Sequence, residues 1–314
     1  MACAAMLSVQ LGNALSTFIG AQVGAGGATW LRTIFGALII VAIARPSLRR
    51  VRRADIPVLL GLGAATACMS LGFLAALERI PLGTAVAIEF LGPLLVAAIR
   101  SGSVKRLIWP ALALAGVVVL TDPWQGGADP IGVLLAAGAG AAWGSYILLT
   151  QAVGDRYEGL DGLAITLPIA AVVTAFVGIP EAWGHLDLGI VAAGAGLAIL
   201  MPALPFALEM LALKRMTPTA FGTLMALEPA FGLIIGALVL GQMPAPLQLL
   251  GIVLVVVAGA MAQLGGRRDA GATATVEAEA AAARAPEGGI LPLEESDETP
   301  HEGPAEPSSR TTRG

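Results

Sequence analysis

Residues 76–93 read ALERIPLGTAVAIEFLGP, and residues 212–229, 136 positions further on, read ALKRMTPTAFGTLMALEP. That shift lays Ala76-Leu77-Glu78-Arg79-Ile80 on Ala212-Leu213-Lys214-Arg215-Met216 and, without a gap, Pro93 on Pro229. A chain that carries one segment twice in this way is built of two related halves. The number of membrane-crossing helices in each half then decides the fold.

Crossing about 30 Å of hydrocarbon at about 1.5 Å per residue takes about 20 apolar residues. Such spans fall at 2–22, 28–45, 56–77, 82–100, 107–121, 131–152, 160–180, 188–210, 218–240 and 246–265. Five spans per half is an odd number, so the second half enters the membrane inverted relative to the first. The expected fold class is an all-α membrane protein, ten transmembrane helices arranged as an inverted 5+5 repeat. Its expected divisions are a five-helix repeat at 1–122, a second at 123–266 and a disordered acidic tail at 267–314.

Composition agrees with a lipid environment: 56% of the 314 residues are hydrophobic and 13% charged, and the mean hydropathy is +0.82. The forty glycines suit helices that associate by close backbone approach. The net charge of −4 is a property of the tail. Residues 1–266 hold 13 Lys/Arg against 12 Asp/Glu, whereas 267–314 hold 5 against 10. The tail has too few large apolar side chains to offset chain entropy. No basic stretch interleaved with aromatics is present, so nucleic acid is not an expected partner. The apolar run from Ala2 has no Lys or Arg before Arg32, so it reads as a first spanning helix and not as a signal peptide.

Basic residues mark one side of the bilayer. Arg45, Arg49, Arg50, Arg52 and Arg53 follow the second span, Arg100, Lys105 and Arg106 the fourth, Arg156 the sixth, Lys214 and Arg215 the eighth, and Arg267 and Arg268 the tenth. The positive-inside rule makes these loops and both termini cytoplasmic, in a multi-pass membrane protein. Trp30, Trp109, Trp124 and Trp183 lie near proposed helix ends, as an interfacial belt requires. Trp143 and Tyr146 lie inside the sixth span and are candidates to face a cavity.

Charge inside the membrane is the next signal. Glu89 and Glu228 fall near the middle of the fourth and ninth spans, where an ionised carboxylate costs about 2.5–3.5 kcal/mol on insertion scales. Pro93 follows the first by one turn and Pro229 follows the second directly, so each carboxylate sits beside a helix-bending residue. The 136-residue shift lays Glu89 on Met225 and Glu228 on Gly92. The acids are therefore not a symmetric dyad, and one is expected to bind substrate while the other takes a proton. Glu209, at the cytoplasmic end of the eighth span beside Lys214 and one turn after Pro205, and Arg32, at the outer end of the second and able to meet a substrate carboxylate, complete the charged candidates; each has a snorkelling or ion-pairing alternative. Gln10, Asn13, Ser16 and Thr17 make the first span polar, and Ser145, Thr150 and Gln151 do the same for the sixth. These two helices are expected to line one path or to bond across helices. Gly20/Gly24 and Gly232/Gly236 have packing spacing.

Other chemistries lack their residues. The two histidines, His185 and His301, lie outside the spans, so no metal site is expected. Cys3 and Cys68 read as buried free thiols. There is no HExxH, no phosphate-binding GxxxxGK[ST] loop and no intramembrane histidine, so neither an enzyme nor a cofactor is expected. Inverted repeats suit secondary carriers, because similar but unequal halves can exchange which side is open.

Three segments carry a family resemblance. Ile80 to Leu94 follows the pattern IPLGxAVAxEFxGPL, Pro205 to Leu213 follows PxxLExxAL, and Leu227 to Ala230 reads LEPA. These resemble the EamA-type transporters of the drug/metabolite transporter superfamily, particularly the threonine/homoserine exporter branch. The chain departs from it in reading PFALE where relatives commonly have PYxLE, and in its long acidic tail. The resemblance implies an inner-membrane exporter of small polar amino acids, with roles for Glu89, Glu209 and Glu228. Alternating access coupled to protons is the expected mechanism, in the lipid bilayer and with a homodimer allowed. Efflux of cationic drug-like metabolites and a non-transporting membrane scaffold are the competing expectations.

Overall fold

The structure, a computed structural model, describes residues 1–46, 51–100, 104–122, 127–153, 160–213, 215 and 218–264. The tail expected at 267–314 lies outside the described residues. Every regular element among the described residues is helical.

The first helix, α1 (Ala2–Ala44), is 43 residues long. At about 1.5 Å per residue it is twice as long as a bilayer crossing needs. Gly24 interrupts it with φ 77° and ψ 159°, a backbone conformation open to glycine. Beyond this point the chain turns back on itself, since the Arg32 guanidinium reaches Asn13 at 3.1 Å. In a straight helix those residues would lie about 28 Å apart. Thus α1 is a hairpin with arms at 2–23 and 25–44. The Glu181 carboxylate accepts a hydrogen bond from the Gly26 amide at 2.7 Å and so caps the second arm.

The remaining helices are α2 (Ile56–Leu77), α3 (Leu82–Glu89), α4 (Leu91–Arg100), α5 (Ile108–Thr121), α6 (Pro130–Val153) and α7 (Leu160–Ala182). They continue with α8 (Leu188–Ala198), α9 (Leu204–Leu213), α10 (Pro218–Met225), α11 (Glu228–Leu240) and α12 (Pro246–Leu264). Among the described residues eight helices are long and apolar enough to cross a membrane, with α1 counted once, α3 joined to α4 and α10 to α11.

Three of these paths are broken, and proline accounts for each break. Pro93 and Pro229 have no amide hydrogen to give the carbonyls of Glu89 and Met225, four residues earlier. The helix accordingly stops at Glu89 and at Met225. Shifted by 136, the bounds of α3, Leu82–Glu89, coincide with those of α10, Pro218–Met225. Between α8 and α9 lies a π turn, Ile199–Ala203, where Leu204 donates to Ile199. That leaves the Leu200 carbonyl without its usual donor, and the Ser8 hydroxyl on α1 donates to it at 2.9 Å.

Polarity is arranged inside out relative to a water-soluble protein. Phe176, Leu134 and Leu238 are more than two-thirds exposed, while Gln10, Asn13, Ser16, Arg32 and Glu228 are buried. Such an arrangement suits a lipid surround. It also overturns the expected burial of Cys3 and Cys68, both of which are exposed. An apolar run in a membrane helix has a lipid face, so apolar neighbours do not imply burial. Gly24 likewise makes the hairpin turn and does not act as a packing partner of Gly20. At Gly232 the packing is real: an added Cβ would come within 3.0 Å of Val86.

Three contacts gather the turns at one end of the bundle. Glu181 meets Gly26, Arg79 pairs with Asp129 at 3.0 Å, and the Gln242 side-chain oxygen accepts from the Leu82 amide at 2.9 Å. These are the loops that the distribution of basic residues leaves nearly free of positive charge.

Candidate functional site

A cavity of about 160 Å³ opens among α1, α2, α3, α6, the π turn and α11. Six sequence-selected candidates line it: Gln10, Asn13 and Arg32 from the two arms of α1, Glu89 from α3, Trp143 from α6 and Glu228 from α11. Met69, Ser70 and Phe73 of α2, together with Met201, supply much of the rest.

The hairpin fixes the cationic side. Arg32 Nη1 donates to Asn13 Oδ1 at 3.1 Å and to Ser16 Oγ at 3.3 Å, two residues one turn apart on the opposing arm. Ser16 donates its own proton to the Gly12 carbonyl at 2.7 Å, which turns its lone pairs toward the guanidinium. Met201 brings its sulfur to 3.7 Å from the same Nη1. Nε and Nη2 make no hydrogen bond to the described residues, and no ion pair among them joins Arg32 to a carboxylate. Arg32 is only 3% exposed, so its charge lies within the bundle and does not snorkel.

Two helix breaks hold the carboxylates. Glu89 is the last residue of α3 and Glu228 the first of α11. Glu89 precedes its break and Glu228 follows its own, so each lies between the end of one helix and the start of the next. Against the first break α6 crosses in backbone contact: an added Cβ on Gly140 would lie 2.7 Å from the Glu89 carbonyl oxygen, and one on Gly92 would overlap the carbonyl of Gly140. This close crossing carries Trp143, one turn beyond Gly140, to the cavity wall, where its ring packs edge-on against Phe90 with centroids 6.5 Å apart.

Two candidates do not line the cavity, although Glu209 lies within electrostatic range of both Glu228 and Tyr146. Glu209 is half-buried on α9 and does not line the cavity, and Tyr146 packs on the cluster around Leu59 and Leu62. The polar residues of α6 do not mirror those of α1. Ser145 and Thr150 are exposed and donate to carbonyls one turn back on their own helix, at 2.8 Å each. Ser145 sits about 200° around the helix from Trp143, and Thr150 about 10 Å further along it. The Gln151 side chain lies outside the described residues. Pro205 is buried just after the π turn, and its missing amide leaves the Met201 carbonyl without a helical donor. Met201 and Ser70 were not singled out in the sequence. Ser70 carries a weak signal as a hydroxyl within an apolar span, and Met201 stands out only by its proximity to Pro202 and Pro205.

The comparisons with known proteins agree with this architecture. The sequence pattern of the EamA-like transporter family matches residues 130–262. The chain is 38% identical to the Threonine/homoserine exporter RhtA of Escherichia coli (strain K12) over 257 residues, covering 79% of this chain and 85% of that one. It is 36% identical over 274 residues to the protein of the same name from Salmonella typhimurium (strain LT2), covering 84% and 90%. A solved crystal structure at 20% identity shares the fold with a TM-score of 0.56, over 85% of this chain and 98% of that one. A multi-pass helical membrane protein with this extent of similarity belongs to the EamA-like transporter family.

Proposed function

We propose that this protein exports threonine, homoserine or similarly small polar amino acids across the inner membrane by alternating access, coupled to protons. The observation that carries the proposal is the cavity of about 160 Å³ that presents a guanidinium and two carboxylates together. A zwitterion needs both signs within a few ångströms. Arg32, anchored through Nη1, offers Nε and Nη2 to the substrate carboxylate. Glu228, the first residue of α11, receives the ammonium. Glu89, the last residue of α3, takes the coupling proton. The names of the relatives in Escherichia coli and Salmonella typhimurium favour this cargo.

The two-halved reading rests on three supports: the hairpin in α1, the joined path from α8 to α9, and the coincidence of α3 with α10 under the repeat shift. Counting each hairpin arm as a span and joining α8 to α9 gives five per half, with 1–122 and 123–266 as the repeats. The cavity draws α1, α2 and α3 from one half, and α6, the π turn and α11 from the other. Movement of the halves about it is then alternating access. The distribution of basic loops supports cytoplasmic termini. Efflux of a lone organic cation fits less well, because Arg32 would repel it inside the same cavity.

Preloaded cells test the assignment of roles. Glu89→Gln and Glu228→Gln should each abolish threonine and homoserine efflux while the amount of protein in the membrane stays constant. Undiminished efflux from both variants overturns it. Protection against cationic dyes in place of threonine and homoserine would instead establish the drug-like cargo.

A further inference from the structure

We propose that Gln10 reads the side-chain hydroxyl of the cargo and so sets the preference for hydroxy amino acids over their aliphatic counterparts; the inference rests on the amino-acid reading above. Gln10 lines the same cavity as Arg32 and Glu228. It is 2% exposed, and its Oε1 has no hydrogen-bond partner. The other cavity amide, Asn13, is already committed through Oδ1 to Arg32. A buried amide left without a partner is costly in a low-dielectric interior, and a polar ligand group removes that cost.

Position narrows the kind of group. Gln10 and Asn13 are three residues apart on one arm of α1, which places them on the same face with Cβ atoms about 5–6 Å apart. A carboxylate held by Arg32, beside Asn13, therefore leaves the β or γ position of a small amino acid within reach of Gln10. The amide has an acceptor at one end and a donor at the other, and a hydroxyl is both donor and acceptor. The match consequently holds in either orientation of the amide. An aliphatic side chain would cover the amide without bonding to it.

The discriminating pair of substrates is threonine and 2-aminobutyrate, which differ only by the hydroxyl. Purified full-length protein in liposomes, assayed for uptake of each radiolabelled amino acid under an imposed proton gradient, gives a threonine-to-2-aminobutyrate ratio of kcat/KM. That ratio does not depend on how much protein has folded. In Gln10→Met, of similar volume, it should fall about tenfold, the scale of one lost hydrogen bond. In Gln10→Asn, where the amide is withdrawn by one methylene, it should fall by an intermediate factor. A ratio within twofold of wild type in whichever variant transports overturns the proposal, as does a wild-type protein with no preference for threonine. A wild-type protein that moves neither amino acid overturns the amino-acid reading itself, and this inference with it.

Discussion

Gly24→Ala is the perturbation whose consequence can be worked most fully from the geometry. At φ 77° and ψ 159° the residue occupies a region essentially reserved for glycine, and any other residue there costs about 1–3 kcal/mol. An alanine Cβ would also overlap the Glu181 carboxylate. Displacing that group breaks its 2.7 Å bond to the Gly26 amide and uncaps the second arm, a loss of about 0.5–2 kcal/mol on the scale of N-caps. Together the two effects amount to about 1.5–5 kcal/mol, against a total stability of about 5–15 kcal/mol for a typical folded protein. Thermal unfolding of purified protein in detergent, for wild type, Gly24→Ala, Glu181→Ala and the double variant, separates them. Gly24→Ala should unfold at the lowest temperature of the two single variants. The double variant should be little worse than Gly24→Ala, because the carboxylate contact is lost in both. A Gly24→Ala protein that unfolds at the wild-type temperature would refute the turn geometry. Strict additivity in the cycle would refute the coupling through Glu181.

Two further outcomes follow from the same contacts. Arg32→Lys keeps the charge but cannot both bridge Asn13 and Ser16 and present a second pair of donors, so KM for threonine in proteoliposomes should rise about 10- to 100-fold; wild-type kinetics would count against the carboxylate role. Asp129 is held below the usual carboxylate range first by the Ile131 amide and then by Arg79, so its stabilising effect is present above its unfolded value of about 4 and is lost as pH falls through the lower folded value. The small gap in unfolding temperature between wild type and Asp129→Asn should thus hold from pH 8 to pH 5 and close in stronger acid; a gap unchanged down to pH 2 contradicts the pairing.

How much of this could be read from sequence depends on which force marks each feature. The spans are marked by length: 56–77 and 82–100 were drawn where Ile56–Leu77 and Leu82–Arg100 lie, because the bilayer fixes how many apolar residues a crossing needs. Arg32, Glu89 and Glu228 are marked by expense, since an ionisable group is kept in a membrane only where something offsets its desolvation. The reversal in α1 is marked by length as well, since the expected spans 2–22 and 28–45 lie on either side of Gly24. The residue that makes the turn is not marked, because Gly24 is one glycine among forty. Membrane helices also lose the amphipathic signal that tells inside from outside in water, as the exposed Cys3 and Cys68 and the misjudged face of α6 demonstrate. Ser145 and Thr150 look functional in the sequence because they are polar, yet a hydroxyl can satisfy itself on its own helix. Gln10 and Asn13 instead face the cavity, whereas Gln22 reaches the Phe18 carbonyl of its own helix at 3.4 Å.

Under the proposed two-halved reading, the repeat copies the backbone break without copying the charge. Helix α3 and helix α10 end 136 residues apart, and a proline four residues on from each end withholds the amide that would continue the helix. Glu89 lies just before the first break, where its counterpart is Met225, and Glu228 lies just after the second, where its counterpart is Gly92. Had both acids stood at equivalent positions, the two halves would present the same helix end to the cavity and the carboxylates would have equal claims on a proton and on an ammonium. Placed before one break and after the other, they line one chamber from unequal positions. Under the proposed function this gives the scaffold its symmetric motion while keeping proton and cargo on separate groups. Moving the first acid to its counterpart position, with Glu89→Met and Met225→Glu in one chain, would put both carboxylates beside a single break; transport that survived the change unaltered would show that the placement has no consequence.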